Sequence, residues 1–128
     1  MSGAPSTRRR IVIAEDDPAI AAMLQKVLAP DYDVSIAPNG RRALELAAEL
    51  PYPALLILDI MMPLLDGLGV AAEVKKHPEL KGVPIIFLTA KSGATDVIKG
   101  IQSGARHYIA KPFKIDDVLS KVKKALGG

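Results

Sequence analysis

The sequence predicts an α/β fold in which one parallel sheet is covered by helices on both faces. Five short apolar runs rich in β-branched residues alternate with segments whose apolar residues recur at helical spacing. The central runs are apolar without interruption, which is typical of strands buried on both sides. A chain of 128 residues fits one such domain, and right-handed crossovers leave few topologies for it.

The first two strand–helix units occupy the first forty per cent of the chain. Arg10–Ala14 is the first predicted strand and Tyr32–Ala37 the second. Between them, Ala19–Leu28 places its apolar residues on one helical stripe, and Asp17 suits the cap position before it. Asn39 can cap the second helix in the same way. The inward residues of that second helix are expected to be Ala43, Leu46, Ala47 and Leu50.

The middle of the chain predicts two more strands and one short helix. Ala54–Leu58 is a continuously apolar third strand that ends at Asp59, and Val83–Leu88 is the fourth. A short helix is expected after Gly67. Its inward residues are expected to be Leu68, Ala71, Ala72 and Val74.

The last third of the chain completes the pattern. A fourth helix is expected over Thr95–Ser103 and a fifth strand over Arg106–Ala110. The final helix carries apolar residues at helical spacing throughout. These residues are Ile115, Val118, Leu119, Val122 and Leu126. We expect residues 10–128 to form the domain, with no second domain after it.

Composition excludes several classes of protein. The absence of cysteine rules out disulfides and thiolate metal sites, which fits a cytoplasmic protein. No apolar run approaches the length of a membrane span, and the first residues lack the apolar core of a secretion signal.

The small positive charge of the chain is concentrated at its beginning. Arg8, Arg9 and Arg10 account for the excess of 17 basic over 14 acidic residues, so the rest of the chain is neutral. A nucleic-acid-binding protein usually spreads its basic residues over a folded face. We therefore expect residues 1–9 to be a flexible, solvated tail, with no direct DNA or membrane binding.

Polar residues follow directly after the predicted strands. Glu15, Asp16 and Asp17 follow the first strand, Asp59 the third, Thr89 the fourth and Lys111 the fifth. In a flavodoxin-like sheet of order 2-1-3-4-5, ligands bind beyond the carboxyl ends of the strands, where the first and third are neighbours. Glu15, Asp16 and Asp59 are therefore expected to converge in one cleft.

The negative charge of several neighbouring carboxylates has to be compensated. Like charges a few ångströms apart raise each other's pKa or demand a cation. Hard oxygen ligands suit Mg²⁺, with Mn²⁺ as a substitute, and the lack of nearby histidine or cysteine argues against zinc. Each residue alone has an ordinary explanation as a cap, turn residue or solvated charge. Their placement after different strands favours a functional site.

Four segments carry a resemblance to a known family: IVIAEDDP, LLILDIMMPLLDG, PIIFLTA and GARHYIAKPF. In their order and spacing, with Thr89 30 residues and Lys111 52 residues after Asp59, they resemble the bacterial response-regulator receiver domains. The resemblance extends from Arg10 to Leu126.

The resemblance implies a role for each residue in the cleft. Asp59 would accept a phosphoryl group from a phosphohistidine. Asp16, Asp59 and the backbone carbonyl of Met61 would bind Mg²⁺ directly, and Glu15 would act through a metal-bound water. The phosphoryl oxygens would contact Lys111, Thr89 and the backbone amide of Ala90. The resemblance also implies a cis peptide at Lys111–Pro112.

The same resemblance implies how the signal leaves the domain. Thr89 would move toward the phosphoryl group, and Tyr108 would rotate inward into the vacated space. The fourth helix, fifth strand and last helix, about residues 95–103, 106–110 and 114–125, would form the readout surface. The expected partners are a sensor histidine kinase or phosphotransfer protein and an unnamed downstream protein, with the chain monomeric or a phosphorylation-dependent dimer. Such a domain catalyses its own phosphorylation and dephosphorylation without turning over a separate substrate.

Three other readings of the sequence are less consistent with these residues. A phosphorylation-independent interaction module would not need the full set of Asp16, Asp59, Thr89 and Lys111. A flavodoxin needs a hydroxyl- or glycine-rich phosphate loop after the first strand, where this chain has EDDP. Aspartate-dependent phosphatases usually carry a second aspartate two residues beyond the nucleophile, where this chain has Met61.

A first prediction concerns the lifetime of the phosphorylated form. Met61 and Lys91 lie two residues after Asp59 and Thr89, positions that line the path of the attacking water in the family that the chain resembles. Their long side chains should hinder hydrolysis, so Met61→Asn and Lys91→Glu should speed the loss of aspartyl phosphate in Mg²⁺. Unchanged or slower decay in the variants would contradict this shielding.

Overall fold

The computed structural model describes residues 8–89 and 107–127, in which five parallel strands form one sheet. The strands are β1 (Arg10–Ala14), β2 (Asp33–Ala37), β3 (Leu55–Asp59), β4 (Ile85–Thr89) and β5 (His107–Ala110). Their order is β2-β1-β3-β4-β5, which confirms the predicted flavodoxin-like topology. Within these residues the helices are α1 (Pro18–Leu28), α2 (Gly40–Ala48), α3 (Gly67–Lys76) and α4 (Ile115–Ala125). The helix predicted over 95–103 lies outside the described residues.

The register of the sheet aligns the carboxyl ends of its central strands. Ala14 at the end of β1 pairs with Leu58, and Asp59 at the end of β3 pairs with Leu88. Thr89 at the end of β4 pairs with Ala110 at the end of β5. Because all the strands are parallel, the residues that follow them emerge along one edge.

Side chains alternate across the sheet and build a core on each face. Val12, Leu56 and Phe87 belong to the core half that packs under α2 and α3. Ile13, Ile57 and Leu88 point the other way and pack against α1 and α4. These six side chains are fully buried, and each contributes roughly 1.5–3 kcal/mol by leaving water. Burial on both faces explains why the strands read as uninterrupted apolar runs.

The predicted caps of the first two helices are confirmed. One carboxylate oxygen of Asp17 accepts the backbone N–H groups of Ala19 and Ile20, at 2.9 and 3.3 Å. Asn39 accepts the N–H of Arg42 at 2.8 Å. These side chains replace intrahelical bonds that the first turn cannot make.

Two predicted core positions are wrong. The second helix ends at Ala48, and Leu50 is 77% exposed. Leu50 precedes Pro51, and a residue before proline is disfavoured in helical conformation. The guanidinium of Arg10 then holds this turn through the carbonyls of Glu49 and Pro51, each at 3.1 Å.

The second misplaced residue is Ala72, which is exposed. The buried stripe of α3 consists of Gly67, Val70, Ala71 and Val74. That stripe follows the helical period, and residue 72 lies off it.

Strand starts also differ from the predicted ones by one or two residues, as is usual at element ends. Across residues 8–89 and 107–127, no helix is both long and apolar enough to cross a bilayer.

A second prediction tests the contact between α2 and the loop after β3. A Cβ added to Gly40 would overlap the backbone carbonyl of Leu65, whereas one added to Gly82 would meet nothing within 4 Å. Gly40→Ala should therefore lower the free energy of unfolding by about 1–3 kcal/mol, the usual cost of overpacking. The matched control Gly82→Ala should change it by less than about 0.5 kcal/mol. Urea denaturation of both variants gives the comparison, and equal effects would show that the close approach at residue 40 is not required.

Candidate functional site

Three carboxylates meet at the carboxyl edge of the sheet. Glu15, Asp16 and Asp59 each offer an oxygen, and these oxygens all lie within 4.8 Å of one another. Glu15 and Asp59 are buried, while Asp16 is exposed. The N–H of Glu15 donates to the carbonyl of Ala37 at 3.0 Å, which extends the β1–β2 ladder by one residue and fixes where this cluster begins.

Lys111 supplies a positive charge to the two buried carboxylates. Its ammonium nitrogen lies 2.7 Å from Asp59 Oδ2 and 2.8 Å from Glu15 Oε1. The backbone N–H of Lys111 donates to the carbonyl of Thr89 at 2.7 Å, which anchors the lysine to the end of β4. The Lys111–Pro112 peptide is cis, as the sequence resemblance implies.

Both oxygens of Glu15 have partners. Glu15 Oε2 accepts the N–H of Asp17 at 3.1 Å. Glu15 Oε1 is buried and forms an ion pair with the Lys111 ammonium, 2.8 Å away. Three carboxylates within 4.8 Å that share one ammonium leave negative charge that a hard cation can compensate. The residues present therefore fit Mg²⁺.

The crowding of charge is visible in the pKa of two groups. Burial raises the pKa of Glu15 to about 7, with a further upward contribution from Asp59 and an opposing one from Lys111. Burial lowers the pKa of Lys111, but its hydrogen bond to Asp59 and its ion pair with Glu15 outweigh that effect, so the net shift is upward. The site thus holds one firmly charged ammonium beside the Glu15 carboxyl group, which resists ionisation.

The loop after β3 keeps Asp59 in place. Asp59 Oδ1 accepts the N–H of Met61 at 3.1 Å, and the N–H of Gly67 donates to the carbonyl of Ile60 at 3.0 Å. A Cβ on Gly67 would overlap the Asp59 carbonyl, so only glycine allows this approach. Leu64, in the same loop, has the left-handed φ of 70°. Met61 itself is 69% exposed.

The two predicted switch residues lie on neighbouring strands. Thr89 is buried at the end of β4. Tyr108 on β5 packs against Phe87, with ring centroids 6.0 Å apart. Its hydroxyl oxygen is buried, without a hydrogen-bond partner among residues 8–89 and 107–127, and burial raises the pKa of the phenol. The hydroxyl therefore does not face water, as it would in an ordinary amphipathic strand. Ala90 and Lys91 lie outside the described residues.

Sequence reasoning missed one residue that ties the last helix to the sheet. The ammonium of Lys121 donates to the backbone carbonyl of Tyr108 at 2.8 Å and lies 3.5 Å from Asp117. In the sequence Lys121 looks like any lysine on a solvated helix face. No local signal reveals the contact, because its acceptor is a main-chain atom on another element.

The chain matches known proteins over most of its length. Residues 11–123 match the family of response regulator receiver domains. The DNA-binding response regulator MtrA of Mycolicibacterium smegmatis is 38% identical over 120 residues, which are 93% of this chain and 51% of MtrA. The chain thus spans about half the length of the curated relatives it matches.

Solved structures agree with the fold. A putative response regulator from Chloroflexus aurantiacus has a TM-score of 0.89 and 34% identity, covering 95% of this chain and all of that one. The receiver domain of the sensor histidine kinase PA1611 from Pseudomonas aeruginosa has a TM-score of 0.85 and 28% identity over 95% of this chain and all of its own. In that structure a magnesium ion is coordinated in the active-site cleft.

A third prediction follows from the raised pKa of Glu15. Its folded pKa of about 7 exceeds the ordinary value of 4.5, so between these pH values the folded protein binds more protons than the unfolded one. Without divalent cations, the free energy of unfolding should therefore fall as pH rises from about 4.5 through about 7, by on the order of 2 kcal/mol.

Glu15→Gln should remove most of that slope, and Glu73→Gln, an exposed control, should keep it. Denaturant titrations at a series of pH values in a chelating buffer measure the effect. A slope that is the same in both variants would contradict the assignment.

Proposed function

The chain belongs to the response regulator receiver domain family, and on that premise we propose that Asp59 is its phosphoryl acceptor. As a receiver domain of two-component response regulators, it has a phosphoryl-accepting role. One observation supports Asp59 most directly: its buried carboxylate lies 2.7 Å from the Lys111 ammonium and beside the carboxylates of Glu15 and Asp16.

The proposed reaction is an in-line displacement at phosphorus. A carboxylate oxygen of Asp59 forms the new P–O bond as the P–N bond of a phosphohistidine breaks, and the bonding electron pair returns to the imidazole nitrogen. The transition state is loose, so catalysis is mainly positioning and neutralisation of charge on the peripheral oxygens. Lys111 already stands beside Asp59 and can shift its ammonium from the carboxylate to a phosphoryl oxygen.

The acidic cluster is the proposed binding site for Mg²⁺, and Mn²⁺ would satisfy the same donor set. Asp16, Asp59 and the Met61 carbonyl would hold the ion directly, with Glu15 acting through a water. The ion supplies neutralisation of the charge that builds up on the phosphoryl oxygens. The burial of Glu15 and Asp59 and the spacing of the three carboxylates within 4.8 Å support this donor set.

Thr89 and the amide of Ala90 are proposed as the remaining phosphoryl contacts. Thr89 ends the strand next to Asp59 and holds the Lys111 backbone through its own carbonyl. A movement of Thr89 would therefore be transmitted to β5, where Tyr108 packs against Phe87. We propose that this path changes the surface formed by the segment 95–103, β5 and α4.

The proposed partners are a histidine kinase or a phosphotransfer protein upstream and a protein target downstream. DNA binding is a property named for the MtrA relatives, of which this chain corresponds to about half. We propose that residues 10–128 act through protein contact. The phosphorylation-independent alternative finds no support in the site, because the acceptor, ammonium and carboxylates are all in reach of one another.

A fourth prediction tests the acceptor. With acetyl phosphate and Mg²⁺, intact-protein mass spectrometry should show one added phosphoryl group on the wild type and none on Asp59→Asn. Asp116→Asn, an exposed residue in the first turn of α4, is the matched control and should be labelled at the wild-type rate.

Chelation of Mg²⁺ should abolish labelling, and Mn²⁺ should restore it. Labelling of Asp59→Asn at the wild-type rate, or labelling that persists without a divalent cation, would show that the reaction takes place elsewhere or by another mechanism.

A further inference from the structure

A groove of about 540 Å³ lies between the α1–β2 turn and α4. It is lined by Asp31, Tyr32, Leu119, Ser120, Lys123 and Lys124. Helix α1 begins beside the acidic cluster at Asp17, and the groove follows its far end. An 11-residue helix is about 16 Å long, so the groove is about a helix length away from the carboxylates. It is therefore separate from the site described above.

Two arginines bring positive charge to this end of the domain. The guanidinium of Arg8 donates to the carbonyl of Ala29, just beyond α1, at 2.6 Å. That of Arg9 donates to the carbonyl of Leu126, just beyond α4, at 2.9 Å. Both carbonyls belong to helix C-termini, which carry partial negative charge. The guanidinium groups of the two arginines cap these helix ends.

The lysines of the groove add to this charge. Lys123 and Lys124 are exposed on the last turn of α4. Neither forms an ion pair with any residue in the ranges 8–89 and 107–127. Lys121, by contrast, is held by the Tyr108 carbonyl and by Asp117. The groove therefore combines apolar surface from Tyr32 and Leu119 with two lysines and the carboxylate of Asp31, so that its lining has a net positive charge.

We propose that this groove binds an acidic peptide segment of a partner protein. An apolar side chain of the segment would lie against Tyr32 and Leu119, and its carboxylates would meet Lys123, Lys124 and Arg9. Charge complementarity of this kind increases the rate of association and selects among partners. Because the site is far from Asp59, the segment could bind while the phosphoryl group is transferred.

Other occupants fit the groove less well. Residues 1–7 of this chain contain no acidic residue, so they cannot supply the complementary charge. A specific duplex complex usually needs more phosphate contacts than the lysines and arginines here provide.

The test uses NMR titration of the ¹⁵N-labelled full chain with a synthetic peptide of alternating glutamate and leucine residues. We expect shifts confined to residues around the groove, with affinity that falls at least about fivefold when salt is raised from about 0.02 to 0.3 M. Lys123→Gln/Lys124→Gln should weaken binding about tenfold or more. Lys75→Gln/Lys76→Gln, in the last turn of α3, removes the same charge elsewhere and should have less than a twofold effect. Both double variants should accept phosphate from acetyl phosphate normally.

Four outcomes would overturn the proposal. They are the absence of binding at millimolar peptide, shifts that map away from the groove, equal weakening by the two double variants, and tighter binding of a single-stranded oligonucleotide than of the peptide. Self-association that Lys123→Gln/Lys124→Gln abolishes would instead identify a second copy as the occupant. Because phosphorylation is measured separately, failure here is distinguishable from failure of the acceptor assignment.

Discussion

Repulsion among three neighbouring carboxylates is the interaction on which the rest of this structure depends. Glu15, Asp16 and Asp59 could be brought within 4.8 Å only if something compensates their charge. Lys111 provides part of that compensation, with its ammonium within 2.8 Å of both buried carboxylates. The rest of the negative charge can be compensated by protonation of Glu15 or by a divalent cation. The electrostatic repulsion that makes the site costly would also favour the binding of a metal ion, as proposed above.

The scaffold resists that repulsion with main-chain contacts. Glu15 is tied to β2 through the carbonyl of Ala37, and Lys111 is tied to β4 through the carbonyl of Thr89. Gly67 lets the loop after β3 close against the Asp59 carbonyl, where any side chain would collide. These contacts fix the backbone, whereas the charged side chains remain free to change their contacts. Lys111 contacts the Asp59 carboxylate with its ammonium and the Thr89 carbonyl with its backbone N–H, so it links Asp59 to the ends of β4 and β5.

The two ends of the domain differ in charge. The carboxyl edge of the sheet gathers acids, while the far ends of α1 and α4 gather Arg8, Arg9, Lys123 and Lys124. In the sequence the basic residues occur in separate places, at the start of the chain and on the last helix. Folding places them beside one groove, because α1 and α4 pack on the same face of the sheet. The chain is nearly neutral after residue 10, but the folded domain has acidic residues at one end and basic residues at the other.

The sequence by itself determined the topology, the helix caps and the convergence of Glu15, Asp16 and Asp59. Apolar periodicity reports which elements are buried, and parallel strands place the residues that follow them on a common edge. Tertiary structure alone decided the burial of the Tyr108 hydroxyl and the binding of Lys121 and Arg9 to backbone carbonyls. The two cation contacts depend on main-chain atoms distant in sequence. Every residue carries a backbone carbonyl, so the pattern of side chains does not indicate which carbonyl a lysine or arginine side chain will contact.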